Sequence, residues 1–305
     1  MNLQDRLREM LKGGELDLPL PARGDTAQRH HRLVEIARAD VALGRLAEAH
    51  VDAVAILADA GRSPRAAALY GVWAAETAGQ PLRIEQRESG LVLTGSKMFC
   101  SGVGLIDRAL VTVTEPARLL VDVDLKSARF DASLWKASAF SNTQTATADF
   151  PEIAICEKDV IGPPGWYLNR PGFWHGACGP ASCWAGGAIG LIDYARAQSR
   201  DDPHSQAHLG AMNAAGWSLR SLLEAAGSQI DRQPEGYDEA RDLALMLRHS
   251  IEQLCLDVLR RFARSLGPRA LAYDAEISRR YSEVDLYLRQ CHGERDLEVL
   301  GRAIS

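Results

Sequence analysis

Gly90–Val113 reads GLVLTGSKMFCSGVGLIDRALVTV, and the rest of the chain is organised around it. Leu91–Leu93 and Ala109–Val113 alternate and carry β-branched residues bounded by glycine, so both read as strands. Thr94-Gly95 reads as a tight turn and Lys97–Cys100 as a short extended run. Ser101–Gly104 is a small polar loop. This β module stands inside a chain whose remaining long segments have helical periodicity.

Residues 1–69 read as a short helical part. Leu3–Leu11 is amphipathic and is broken by Gly13-Gly14 and by the Leu-Pro-Leu-Pro run that starts at Leu18. Asp25-Thr26 is placed to cap a second helix that runs on to Gly61, with an internal break expected near Gly44. Residues 70–165 hold short apolar runs separated by Gly, Pro, Ser or Asp, the pattern of antiparallel β structure. Residues 166–305 return to helix in four stretches, about 172–200, 203–230, 236–267 and 275–304. Short connections between four long helices point to an up-down bundle. The fold class is therefore α+β.

Composition narrows the function classes. The chain has 305 residues, 46% hydrophobic and 25% charged, with a formal net charge of −5. That charge speaks against nucleic acid or an anionic membrane as partner. The six cysteines are scattered, without a Cys-x-x-Cys pair, so reduced thiols and a cytoplasmic location are expected. The N-terminus is charged and amphipathic, unlike a signal peptide. The uncharged run Gly176–Ile192 contains six Gly or Pro residues and is shorter than the roughly 20 apolar residues of a bilayer span. It reads as a tightly packed buried helix.

Common catalytic signatures fail. No Gly-x-Gly-x-x-Gly follows a strand, and Gly90–Gly95 followed by Ser96-Lys97 misses the phosphate-loop spacing by one residue. His204 and His208 stand four apart without the glutamate of a zinc-protease helix, so no metal site is expected. Gly-x-Ser-x-Gly is absent.

The layout of helices, a β part and a helical bundle, together with particular residues, resembles the acyl-CoA dehydrogenase superfamily of flavoproteins. Ala75-Glu76-Thr77-Ala78-Gly79 stands where that family has Thr-Glu-Pro-x-x-Gly-Ser-Asp. Gly95-Ser96-Lys97-Met98-Phe99-Cys100-Ser101 stands where it has Gly-x-Lys-x-Trp-Ile-Thr. Phe150–Gly165 looks like the family's exit from the β domain. Gly186–Arg200 is similar to its first bundle helix, and His204–Met212 to the start of the next. The resemblance implies a short helical N-terminal domain (1–69), a central β domain (70–165) and a C-terminal four-helix bundle (166–305).

It also implies a flavin, FAD or alternatively FMN, along Glu76, Gly79, Phe99, Ser101 and Gly102, with Arg200 as a cation for its phosphates. Phe99 suits the apolar wall of an isoalloxazine, and the Ser101 hydroxyl suits its polar edge. Read without the family, the two are a core aromatic and a turn serine. The implied activity is that of a flavin-dependent oxidoreductase on a small molecule, such as an acyl thioester, in a homodimer or homotetramer. The many small residues from Gly179 to Ala188 favour close helix contact in such an assembly.

The family's dehydrogenases use a catalytic glutamate at one of two places. Here these fall near Gln290–His292 and near Pro180, and neither carries an acid in register. A branch similar to dibenzothiophene monooxygenase instead uses a histidine, which His292 with Ser101-Gly102 matches. His292 is thus the candidate catalytic residue, with His175 second and Glu294 within a two-residue shift. Two alternatives stay open, a monooxygenase of the same fold and a non-catalytic subunit.

Overall fold

A computed structural model describes residues 2–76, 81–88, 90–198 and 200–303. Two compact units form the chain, Met1–Asp17 with Ala49–Phe173, and Leu18–Glu48 with Trp174–Ser305. The first 69 residues are divided between them.

The first unit holds α1 (Leu3–Lys12), the second half of α3 (Val41–Asp59) and two four-stranded sheets. The strands are β1 (Tyr70–Trp73), β2 (Arg83–Arg87), β3 (Gly90–Cys100), β4 (Arg108–Val113), β5 (Leu119–Asp124), β6 (Arg129–Asp131), β7 (Ala146–Ile155) and β8 (Val160–Ile161). One sheet runs β1-β4-β5-β8 and the other β2-β3-β7-β6. All ladders are antiparallel except β1–β4, which is parallel. Ile56 and Leu57 of α3 pack with Tyr70, Leu110, Leu120 and Ile161 in a core cluster over the first sheet. Asp107, just before β4, accepts two bonds from Arg8 of α1 (2.7 and 2.8 Å) and one from the Leu69 N–H (2.7 Å). Burial raises the Asp107 pKa, but these donors outweigh it and hold the carboxyl below its usual range.

Gly90–Cys100 is one continuous strand, not two pieces joined by a turn at Thr94-Gly95. Pairing with β7 slips between Leu93 and Gly95 and again between Lys97 and Cys100. Gly95 has φ +114°, and a Cβ there would stand 2.5 Å from the Pro81 carbonyl oxygen. Glycine therefore serves a bulge here, because only it tolerates both the angle and the approach.

The second unit is helical. It comprises α2 (Thr26–Ala39), the first half of α3, nearly all of α4 (Pro171–Ala197), α5 (Pro203–Arg232), α6 (Tyr237–Leu266), α7 (Pro268–Tyr273), α8 (Ala275–Leu288) and α9 (Glu294–Ala303). Among the described residues no helix is long and apolar enough to cross a membrane. Three of the four expected bundle helices are continuous. The fourth, expected over 275–304, is interrupted between Leu288 and Glu294, where Gly293 has φ +52°.

Local chemistry explains the other departures. Asp25 makes no side-chain capping bond. Asp231 of α5 does that work, accepting from Gly24 N (3.0 Å), Thr26 N (2.9 Å) and Thr26 Oγ1 (2.6 Å). The α2–α3 break falls at Asp40, which is extended (φ −151°), and not at Gly44. Asp40 caps Leu43 N at 2.9 Å and accepts from Arg279 at 2.9 Å. Arg280 donates to the Arg38 and Ala39 carbonyls, each at 2.6 Å, satisfying the open end of α2. Gly44 is small because a Cβ would stand 2.5 Å from that of Ala37. The small residues of α4 are likewise used inside the chain: Gly186 lies against Val34 and Ala37, and Gly187 against Val284 and Val41. They give no support to an oligomer, which rests on the family resemblance alone.

Candidate functional site

The second β3 irregularity is where the sequence placed its candidates. Between Lys97 and Cys100 the strand bulges, so that Lys97 and Cys100 both face inward and Phe99 faces out. Phe99 has φ +59° and is 53% exposed. A left-handed angle at an aromatic residue costs about 1–3 kcal/mol and is kept only where the surroundings enforce it. Here the enforcing contacts are the inward anchors on either side. Lys97 Nζ donates to Thr112 O and Thr112 Oγ1, both at 2.9 Å, and Cys100 is fully buried against β7. Burial pushes the Cys100 thiol up to about 12, which leaves it an inert packing group.

The loop after β3 is set by backbone bonds. Gly102 N donates to Thr143 O at 2.8 Å, and the Ser101 carbonyl accepts from the Trp73 indole at 3.0 Å. Gly102 has φ +87°, an angle that favours glycine. Ser101 Oγ lies 2.9 Å from Thr145 Oγ1, which lies 3.1 Å from Thr143 Oγ1, and Thr143 donates to the Phe140 carbonyl at 2.8 Å. Hydroxyls can rotate to give or take a hydrogen bond. Ser101 can give its proton to Thr145 and offer a lone pair outward, or take a proton from Thr145 and offer its own. Trp73 also meets Phe130 edge-on, with ring centroids 6.4 Å apart. An open cleft of about 700 Å³ borders the same loop, with Gly104, Ile106, Arg108, Lys126 and Phe130 among its lining.

Phe99, Ser101 and Gly102 thus follow one another at and just after the end of β3, with Phe99 exposed, Ser101 half-buried and Gly102 buried. Glu76 also belongs to the first unit and accepts from Arg118 at 2.9 Å, both side chains being partly exposed. Gly79 lies outside the described residues. Arg200 and His292 belong to the second unit, in two different places. Arg200 lies in the connection between α4 and α5, where its carbonyl accepts from Gln206 at 2.8 Å. Asp201 and Asp202 follow it, and Asp202 closes the N-terminus of α5 by accepting from His204 N (3.1 Å) and Ser205 N (2.9 Å). His292 sits in the turn between α8 and α9, 67% exposed, with Nδ1 3.6 Å from Asp296. Glu294 opens α9, also exposed. His175 is buried on α4, at 5% exposure.

Three buried carboxylates escaped the sequence reading, one of them, Glu283, paired with Arg279 at 3.0 Å. Glu48 and Glu252 are each 8% exposed. Glu48 of α3 lies against Gly179, whose missing side chain leaves it room. Glu252 of α6 lies beside Cys291, where burial first and then this neighbour raise the thiol's pKa. Arg248, one turn before Glu252, donates to the Ala177 carbonyl (2.8 Å) and the Gln290 carbonyl (2.9 Å), and covers the Trp184 ring at 4.7 Å. The available signal was a charged residue interrupting the apolar stripe of α3 or α6.

No protein-family model matches the sequence, and neither does any curated protein. Solved structures do resemble it. Methanesulfinate monooxygenase MsuC from Pseudomonas fluorescens shares 17% identity with a TM-score of 0.80, over 97% of this chain and 88% of that one. FMN-bound TdsC from Paenibacillus sp. A11-2 shares 16% identity with a TM-score of 0.74, over 98% and 94%. Butyryl-CoA dehydrogenase from Megasphaera elsdenii shares 15% identity with a TM-score of 0.76, over 92% and 82%. Identities this low speak to architecture, and on that ground the chain has the acyl-CoA dehydrogenase fold.

Proposed function

We propose that this protein is a flavin-dependent oxidoreductase acting on a small molecule. The observation that carries the reading is Phe99, half exposed in a left-handed conformation beside the Ser101 hydroxyl. An isoalloxazine needs an apolar wall and a polar edge, and these residues supply both. On the same unit the buried Thr114 Oγ1 has no hydrogen-bond partner among the described residues and fits a bound polar group. Phe99 would wall the ring, Ser101 would bond its edge, and Gly102 would keep the loop close. Bound flavin supplies a hydride acceptor or, once reduced, a reaction with dioxygen.

The family resemblance implies FAD. Arg200, followed by two aspartates at a helix end already capped by Asp202, is poorly suited to a second phosphate. This favours the mononucleotide, the cofactor with which the similar TdsC structure was solved. The monooxygenase reading has its own support. Neither Gln290–His292 nor the α4 segment around Pro180 carries a carboxylate, and the first of them presents an exposed histidine.

Flavin binding is read by titrating the purified protein with FMN and with FAD. Ser101→Val is expected to weaken binding by about 1–3 kcal/mol, the cost of an unmet polar contact. Loss of flavin colour on anaerobic addition of acyl-CoA thioesters would mark a dehydrogenase. Loss only with an external reductase, followed by oxygen uptake, would mark a monooxygenase. Failure of both flavins to bind would leave the non-catalytic subunit as the reading.

A further inference from the structure

Lys97 is a buried cation held by neutral acceptors. It is 6% exposed, and its ammonium donates to the carbonyl and hydroxyl of Thr112, both neutral. Two other cations of the first unit lie against carboxylates, Arg170 with Asp59 at 2.5 Å and Arg108 with Asp122 at 2.8 Å. Among the described residues no carboxylate pairs with Lys97. Burial pushes the Lys97 pKa down from its usual value, and the one carboxylate that acts against this, Glu76, is occupied with Arg118. Neutral acceptors anchor an ammonium without cancelling its field, and low-dielectric surroundings screen that field weakly.

The field falls where the candidate site lies. Lys97 is two residues before Phe99 and four before Ser101 on the same strand segment. At roughly 3.3 Å per residue the Cα separations are at most about 7 and 13 Å, with the ammonium on the inward side of the strand and Phe99 on the outward side. A unit charge at about 10 Å, at an effective dielectric near 20, changes a binding equilibrium roughly tenfold. A reduced flavin ring carries a negative charge that the oxidised ring lacks. An uncancelled cation under this face therefore acts differently on the two oxidation states.

We propose that Lys97 is an electrostatic positioning residue, whose buried ammonium biases the Phe99–Ser101 face toward the reduced, anionic state of a bound flavin. The proposal rests on the flavin reading above. It gives Lys97 a role beyond pinning β3 to Thr112 of β4.

The experiment measures dissociation constants for oxidised FMN and for dithionite-reduced FMN, anaerobically and at neutral pH, where the buried ammonium keeps its proton. The unaltered protein, Lys97→Met and Lys97→Arg are compared. The ratio of the two constants is expected to move about tenfold against reduced FMN in Lys97→Met. A tenfold change in this ratio corresponds to about 30 mV for a two-electron couple. Lys97→Arg, which keeps the charge, is expected to restore the ratio to within about threefold. A purely structural role would change both constants together and leave their ratio fixed. Should circular dichroism show Lys97→Met unfolded, Lys97→Gln takes its place, since its amide still donates to the Thr112 carbonyl. An unchanged ratio in a folded, flavin-binding variant overturns the proposal. Absence of flavin binding by the unaltered protein instead overturns the flavin reading on which it stands.

Discussion

Among single residues, Phe99 and His292 carry the functional reading in different ways. Phe99 is informative through its backbone, since the left-handed angle would relax if the neighbouring anchors did not enforce it. His292 is informative through its chemistry, as an exposed imidazole beside Asp296 in a turn without a carboxylate in register. Flavin-loaded protein is expected to lose about 10²-fold or more in turnover on His292→Ala, the usual scale of a lost general base or acid. The check is steady-state turnover with its pH profile. Activity that survives the substitution places the proton-accepting group elsewhere, with Glu294 and the buried Glu252 the first to replace. The types and spacing of Phe99, Ser101 and Gly102 were legible in the sequence because they follow each other along one strand. Glu48 and Glu252 were not, because their burial is decided by residues far along the chain, such as Gly179 against Glu48.

Among elements, period-two alternation located the β module, and helical periodicity located the long helices. Their boundaries were harder to read. Gly95 signals a left-handed angle in a turn and in a bulge alike, so Thr94-Gly95 gave no means of choosing between them. The α2–α3 break falls at Asp40 because Arg279 and Arg280 hold it there, and no local pattern announces them. Gly293, by contrast, was a visible warning that the last helix is interrupted. The start of α2 offers a direct test of borrowed capping. Asp231 accepts three hydrogen bonds from Gly24 and Thr26, replacing the local cap that Asp25 does not make. Asp231→Ala is expected to destabilise the protein by about 1–2 kcal/mol, and Asp25→Ala by much less. Urea midpoints of the two variants decide the matter. Equal effects would mean that Asp25 caps the helix in solution.

For the whole molecule, two buried histidines link stability to pH. Burial pushes His30 down to about 4, against its bond to the Leu223 carbonyl, and burial likewise pushes His50 down to about 4. His30 donates from Nδ1 to Leu223 O at 3.0 Å, whereas His50 accepts at Nδ1 from Tyr70 N at 3.2 Å. Both folded values lie below the unfolded value of about 6.5. The unfolded chain therefore takes up protons that the folded chain refuses, and stability falls as pH drops from about 6.5 to about 4. Each histidine contributes a loss on the order of 2 kcal/mol between about pH 6.5 and 5. Denaturant titrations at neutral and mildly acidic pH should show that loss, with a shallower slope in His50→Asn. A flat profile would mean that both imidazoles reach solvent when they are charged.

The two carbonyls at the end of α2 wait on Arg280, more than 240 residues later in the chain. At roughly 5–20 residues per second on the ribosome, that wait lasts on the order of 10–50 seconds. During this interval the emerging polypeptide carries a helix end whose acceptors only water can satisfy. Residues 18–48, which belong to the same compact unit as Trp174–Ser305, stay without most of their partners for as long. Their early apolar surface is thus open to chaperones until the segment that carries Arg280 has been made and has packed against it.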